Sequence, residues 1–364
     1  MKKIYFTVTN DLNSDQRMQR ICSTLAENGY DVTLVGREHP ASLPLLPQKF
    51  KQKRIKCWFN KGKLFYFEFN IRLSNLLALK KMDAICAIDL DTIHPCYTLS
   101  RLKRIPRVYD AHELFTEMKE VITRAGIKKI WDTVEKRMVP KFKYGYTVSE
   151  GIAGEFKKRY GVNYTTIRNL PVLKVTESFL SSEIFILYQG AVNEGRGLEF
   201  LIPAMKNINC KLIICGDGNF MPQLKKLITE NKVEEKIELK GWTLPEKLRT
   251  ISQQATIGIA LAEKEGLNQW LALPNKFFDY IHAAVPQISM NYPEYEKINN
   301  QYEVAVLIDN LRPETISTVI NELLKNEEKR NRLKANCIKA RQELNWQNEE
   351  KKLIDFYKNL FAAD

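Results

Sequence analysis

Four short segments hold residues whose types and spacing could do chemistry. The first, residues 273–286, reads Leu-Pro-Asn-Lys-Phe-Phe-Asp-Tyr-Ile-His-Ala-Ala-Val-Pro. Pro274 favours a helix start, and Phe277, Phe278, Ile281, Ala284 and Val285 would form its buried stripe. Asn275, Asp279 and His282 then share the opposite face at i, i+4 and i+7. An exposed Asp279 carboxylate one turn into such a helix could accept two ribose hydroxyls. Lys276 could meet a phosphate there, helped by free backbone N–H groups. A helix start bearing ordinary surface charges fits the same spacing. The second segment, residues 188–198, runs from a strand into a glycine-rich loop with Gly190, Asn193, Gly195, Arg196 and Gly197. Its glycines allow close backbone approach, and Arg196 can grip a diphosphate through two N–H groups. It matches neither the phosphate loop G-x-x-x-x-G-K-[ST] nor the dinucleotide pattern G-x-G-x-x-G.

The third segment places Gly216, Asp217 and Gly218 after a strand, where a tight turn would also account for them. The fourth, residues 109–115, sets His112 between Asp110 and Glu113 just past a strand end. A lone histidine is more often structural than catalytic. Flanking carboxylates also suit a metal, but no matching second cluster follows, so no metal is expected.

The elements that must position these segments read as an α/β chain. Apolar runs at 4–8, 31–35, 84–88, 108–110 and 145–148 predict strands, with a helix over 18–28 completing a β-α-β unit. A second series begins at 184–188. Strands at 211–215, 237–239 and 257–260 alternate with helices at 198–206, 221–230 and 246–254. Residues 168–182, with Asn169, Pro171 and three serines, predict a linker. Residues 346–361 predict an amphipathic helix with Leu353, Phe356, Tyr357 and Leu360 as its apolar stripe. Two doubly wound domains of this kind, facing each other, would hold ligands beyond the carboxyl ends of their strands.

The chain has 364 residues, of which 44% are hydrophobic and 27% charged, a globular balance long enough for two domains. Its apolar runs are far short of the roughly 20 residues that span a bilayer. The opening Met-Lys-Lys run meets Asn10 and Asp11 too early for a signal peptide. Seven cysteines without a C-x-x-C pair point to a reducing cytoplasm, not a disulfide framework or zinc site. The net charge of +13 is uneven: residues 1–170 carry 31 lysines and arginines against 17 acids, and the remainder is nearly neutral. Basic clusters fall at 49–56, 101–107 and 136–143. Nucleic acid, an anionic membrane, a phosphorylated acceptor or a plainly solvated surface would each account for this excess. Without helix-turn-helix, RNA-recognition or zinc-finger patterns, nucleic acid is not expected as a partner.

Taken in order, these segments resemble the retaining GT-B glycosyltransferases of glycosyltransferase family 4, in the bacterial, cell-surface polysaccharide class. The resemblance covers nearly the whole chain. It rests on the loops above, on residues 89–92 (Asp-Leu-Asp-Thr), on residues 146–152 (Tyr-Thr-Val-Ser-Glu-Gly-Ile) and on Gly241-Trp242. It implies two Rossmann-like domains, at 1–170 for the acceptor and 171–345 for the donor, with a terminal helix, 346–364, packing back on the first. The implied substrates are a nucleotide sugar, UDP-linked before GDP-linked, and a glycan or lipid-diphosphate-linked acceptor. By the resemblance Arg196 and Lys276 bind the donor diphosphate and Asp279 the ribose. Gly216, Asp217 and Trp242 lie near the nucleoside, His112 beside the sugar, and Asn10 and Asp11 close on phosphates or acceptor. The family's front-face mechanism implies no protein nucleophile, cofactor or metal; such an acceptor, with the charge excess of residues 1–170, leads to the expectation of a cytoplasmic protein peripheral at the inner membrane face through residues 1–170. Three departures stand out: Ala191 replaces the first basic residue of the donor loop, Leu271 the first acid of Glu-x7-Glu, and Asn10-Asp11 the usual glycine pair. Ala191 and Leu271 also suit a non-catalytic partner subunit, and the carboxylates with a histidine would also suit a GT-B-fold sugar-nucleotide epimerase.

Overall fold

The alternation of short apolar runs with amphipathic segments folds into two separate parallel sheets. The computed structural model describes residues 1–13, 15–40, 42–174 and 183–362, so residues 175–182 of the expected linker lie outside the described residues. The first sheet contains β1 (Lys3–Thr7), β2 (Asp31–Glu38), β3 (Lys51–Lys56), β4 (Ala84–Ile88), β5 (Arg107–Ala111), β6 (Tyr144–Thr147) and β7 (Thr165–Thr166). Its order is β3-β2-β1-β4-β5-β6-β7. The second contains β8 (Phe185–Gln189), β9 (Lys211–Cys215), β10 (Ile237–Gly241), β11 (Ile257–Ala260), β12 (Gln287–Met290) and β13 (Ala305–Ile308), in the order β10-β9-β8-β11-β12-β13. Strands β4 and β8 are buried along their whole length, as expected where helices cover both faces of a parallel sheet. These are two α/β domains, each with a Rossmann-like, doubly wound parallel sheet.

Contacts divide the chain into Met1–Asn169 with Glu349–Asp364, and Leu170–Asn348. The last helix, Trp346–Ala362, therefore ends in the N-terminal unit, and its sequence shows why. Leu353, Tyr357 and Leu360 are buried. The Tyr357 ring lies 6.0 Å from that of Phe6, and Phe356 lies 5.2 Å from Tyr146, edge to face. Thr24 Oγ1 donates to Glu350 at 2.7 Å, and the Arg168 N–H donates to Glu349 at 2.8 Å.

Several elements are not foretold by hydrophobic period. The basic run at 49–56 contains the edge strand β3, where Ile55 alone is buried and exposed lysines leave the outer edge charged. The helix Gly62–Ala78 is apolar on more than one face, which hides its period. Strands β12 and β13 have only four residues each, and β12 buries the polar Gln287 and Ser289. Gln287 is satisfied by donating to the Phe277 carbonyl at 3.0 Å.

Leu353→Ala should destabilise the N-terminal unit by about 2–5 kcal/mol, since it empties a fully buried position. A lowered urea midpoint checks this; an unchanged one would mean that the terminal helix does not hold the unit.

Candidate functional site

In the C-terminal unit the candidate donor residues gather at the carboxyl ends of β8 and β9, beside the start of the helix Asn275–Ala283. The two glycine loops are locked together. Gly190 N–H donates to the Cys215 carbonyl at 3.0 Å, Val192 N–H to Asp217 at 3.0 Å, and Asn219 N–H to Asn193 Oδ1 at 3.2 Å. A Cβ at Gly216 would fall 1.8 Å from the Gly190 oxygen, one at Gly218 2.3 Å from the Val192 oxygen, and one at Gly197 2.6 Å from Leu261 Cβ. These three glycines are thus required by packing within the protein. Gly190, with φ of +112° and Lys276 Cε 3.8 Å from its missing side chain, keeps the open backbone expected of a ligand contact.

Lys276 lies one residue into the helix and is 8% exposed. Its Nζ sits 3.9 Å from the Tyr188 ring centroid and has no hydrogen-bond partner among the described residues. Burial, and then the charge of Arg196, push its pKa well below the ordinary lysine value. Arg196 is half-buried, with Nη1 3.4 Å from Gln269 Oε1. Two cationic groups therefore converge beside a helix N-terminus, and one of them is buried without an anion. That arrangement is costly for the empty protein and favourable to a diphosphate.

Asp279 is half-buried, not exposed as its spacing suggested, and accepts from Gln189 Nε2 at 3.1 Å. Ser252 donates to Gln189 Oε1 at 2.6 Å, so a buried Ser-Gln pair orients the acid. Neither residue carried a sequence signal, because one ends a strand and the other lies within a helix. Asn275 is exposed at the first helical position, and His282 faces the Leu344 carbonyl at 2.7 Å, a structural contact. Trp242 is 67% exposed beyond the edge strand β10, and Asp217 caps its own turn through the Gly218 N–H.

In the N-terminal unit His112 lies just past β5. Its Nε2 is 3.0 Å from Asp110 Oδ2, its Nδ1 is 4.0 Å from Asp89 Oδ2, and its backbone N–H donates to Asp89 Oδ1 at 2.9 Å. Burial alone would lower its pKa, but the two carboxylates prevail and raise it to about 9. Asp110 is fully buried and also accepts from Arg17 Nη2 at 2.9 Å. Its pKa is lowered because Arg17 and His112 outweigh burial. Burial lifts Asp89 to about 7 and Asp91 to about 6, and Thr9 Oγ1 donates to Asp91 at 2.6 Å. Asp89 also holds φ +53° and ψ −173°, a conformation that costs a non-glycine residue about 1–3 kcal/mol. Arg17 and Asp89 were given no role from sequence, since only the folded chain brings them to His112.

The loop after β1 is held by its own contacts. The Asp11 carboxylate pairs with Arg54 at 2.6 Å and also accepts from Asn13 and Ser42. Asn10 is exposed, but its Nδ2 donates to Asp15 at 3.1 Å and its carbonyl accepts from Arg37. Among the described residues no group of three His, Cys, Asp or Glu side chains is arranged to hold a metal ion.

The state of Lys276 gives a stability prediction. Its native pKa lies below the unfolded value, so the unfolded chain binds the extra proton between the two and stability rises with pH across that interval. Lys276→Met should remove that rise and stabilise the ligand-free protein near neutral pH. Urea melts at several pH values check this, and an unaltered pH dependence would show the amine to be solvated.

Comparison with known proteins matches the family described as Glycosyltransferase Family 4 over residues 16–171, and Glycosyl transferases group 1 over residues 174–340. No curated protein sequence matches the chain significantly. Among solved structures, sucrose-phosphate synthase from Thermosynechococcus elongatus superposes with a TM-score of 0.84 at 15% identity, covering 100% of both chains. HepE of Anabaena in complex with UDP-glucose gives 0.78 at 12% identity, covering 99% of this chain and 100% of that one. WaaG, a glycosyltransferase involved in lipopolysaccharide biosynthesis, gives 0.68 at 14%, covering 96% and 98%. At these identities the structures speak for the fold, while the two family matches speak for the domains. The chain is a glycosyltransferase of the GT-B fold, joining a family 4-like N-terminal domain to a group 1 C-terminal domain.

Proposed function

We propose that the protein moves a hexose from a nucleoside diphosphate sugar, UDP-linked before GDP-linked, to a glycan or lipid-diphosphate-linked acceptor with retention of configuration, in cell-surface polysaccharide synthesis. The observation that carries the donor half is Lys276, a buried amine without a partner beside Gly190 and under the influence of Arg196. A donor diphosphate supplies the missing anion. Uridine is favoured because HepE was crystallised with UDP, with UDP and glucose, and with UDP-glucose, and TarM of S. aureus with UDP.

The residues divide the work by charge. Arg196 and Lys276 stabilise the negative charge that builds on the leaving diphosphate as its bond to the sugar anomeric carbon breaks. The acceptor hydroxyl attacks from the same face, and its proton passes to a phosphate oxygen of the leaving group, so no protein nucleophile, cofactor or metal takes part. Asp279, fixed by Gln189 and Ser252, accepts the ribose hydroxyls, with Asn275 and Trp242 toward the nucleoside. His112 stays an imidazolium at neutral pH, because its pKa is raised to about 9. It therefore donates to a sugar hydroxyl and does not serve as a base.

Calorimetric titration with UDP, GDP and ADP, without added metal, tests the donor reading. One nucleotide should bind, with its diphosphate answering the buried Lys276 amine. Lys276→Met and Arg196→Ala should each lose most of the affinity, and Asp279→Ala should weaken nucleotide binding more than turnover. No binding by any nucleotide would favour a non-catalytic partner subunit, as Ala191 and Leu271 suggest. Separately, transfer should decline as pH rises through about 9, where His112 loses its proton. A rate that holds level through pH 9, or a high-pH limb that persists in His112→Gln, would remove His112 from this role.

A further inference from the structure

The helix Gly62–Ala78 buries Phe65, Phe69, Leu73 and Leu77 in the N-terminal unit, yet its outer face is apolar too. Leu64 is 57% exposed, Phe67 68% and Ile71 45%, and Leu79 just beyond the helix is 95% exposed. The turn before the helix adds Trp58 at 83% and Phe59 at 44%. A helix on the surface of an ordinary domain keeps polar residues on that side. Single exposed apolar residues need no explanation, but a continuous set does.

Turn and helix form one prearranged piece. Glu68 accepts from the Trp58 N–H at 2.9 and 3.0 Å and from the Phe59 N–H at 2.9 Å. Arg72 Nε donates to Glu68 at 2.7 Å, and its guanidinium lies 4.6 Å from the Trp58 ring centroid. On the near side Arg37 donates to the Asn60 carbonyl at 2.7 Å and stacks on Phe65.

Charge decides what this face meets. Glu68 is the only acid between residues 57 and 82 and is already paired with Arg72. Exposed Lys56, Lys61 and Lys63 stand at one end of the apolar stripe, and exposed Lys80 and Lys81 at the other. Tryptophan favours the headgroup level of a bilayer, lysines reach past apolar stems to phosphates, and an anionic leaflet attracts each of them. A second copy docked here would bring the same lysines together against their mutual repulsion.

We propose that this face, Trp58–Phe59 with Leu64, Phe67, Ile71 and their flanking lysines, seats the protein on an anionic lipid bilayer with the helix lying along the surface. The overall charge excess of residues 1–170 attracts the protein to such a surface, and the apolar stripe fixes which side enters it. The proposal stands apart from the donor reading, because it is tested without nucleotide or sugar.

The test is flotation of the full chain with vesicles of phosphatidylcholine alone, or with about one-third phosphatidylglycerol, at low salt. The protein should float with the anionic vesicles only. Phe67→Ser with Ile71→Ser, and separately Lys61→Glu with Lys63→Glu, should each weaken partitioning about tenfold or more. Circular dichroism should confirm that both variants stay folded. Trp58→Phe should remove the blue shift of tryptophan emission on binding. Lys136→Glu with Lys143→Glu, a charge change in another basic cluster, should weaken binding less than the Lys61 and Lys63 pair. Failure of the wild type to float, normal floating of the Phe67 and Ile71 variant, or equal loss in the control would overturn the proposal. So would a dimer in solution that the Phe67 and Ile71 substitutions dissolve.

Discussion

Each sheet has its first strand near the middle, and everything functional depends on that placement. From β1 the chain runs first to β2 and β3 on one side, then back to β4 and beyond on the other. From β8 it runs to β9 and β10, then back to β11. Right-handed crossovers on the two sides of such a strand cover opposite faces of the sheet. The carboxyl end of the reversal point is left uncovered, and a ligand or a polar cluster can occupy it. Thr9, Asp89 and Asp91 follow β1 and β4 at this point in the first sheet, with His112 beside them after β5; Gly190 and Arg196 follow β8 at it in the second, with the loop of Gly216 beside them after β9.

The two clusters treat charge in opposite ways. Around His112 most of the charges are answered from within: Asp110 takes both Arg17 and the imidazole, Asp89 holds the histidine backbone, and Thr9 holds one oxygen of Asp91, whose other oxygen has no partner among the described residues. Such a network resists rearrangement, because freeing any member leaves a buried charge unpaired. A strained Asp89 backbone persists only where its surroundings fix it. Around Lys276 the protein supplies cations and leaves the anion out. Burying the amine costs stability in the empty state, and that cost is returned when an anion arrives.

Much of this was legible in the sequence because parallel strands and βα loops leave strong local marks. Strands 84–88, 211–215 and 257–260 have the ends that their apolar runs indicate, since buried strands have no polar alternation to blur them. The last helix was visible through the Leu353, Phe356, Tyr357 and Leu360 stripe. Ser252 and Arg17 were not visible, and Gln189 and Asp89 lay within the marked segments without a role, because each acts through a partner distant in sequence. The pairing of Asp11 was hidden for the same reason: Arg54, its partner, lies on an edge strand inside a basic run. Gly197, Gly216 and Gly218 carried a real signal, the need for a missing side chain, but sequence could not tell a neighbouring loop from a ligand.

The same distinction between charge and shape governs the basic surface. A count of lysines and arginines shows that the N-terminal half is attractive to anions, but attraction over a Debye length of about 8 Å at physiological salt has no orientation. Orientation requires apolar side chains held at a common level. Here the Glu68 carboxylate joins the Trp58 turn to the helix, so the aromatic residues and the Leu64-Phe67-Ile71 stripe are fixed relative to one another before any surface is met. A prearranged face loses little conformational entropy on binding, whereas a flexible basic loop would lose more for the same contacts. Glu68, an acid within a basic surface, is thus the residue that gives the surface its direction.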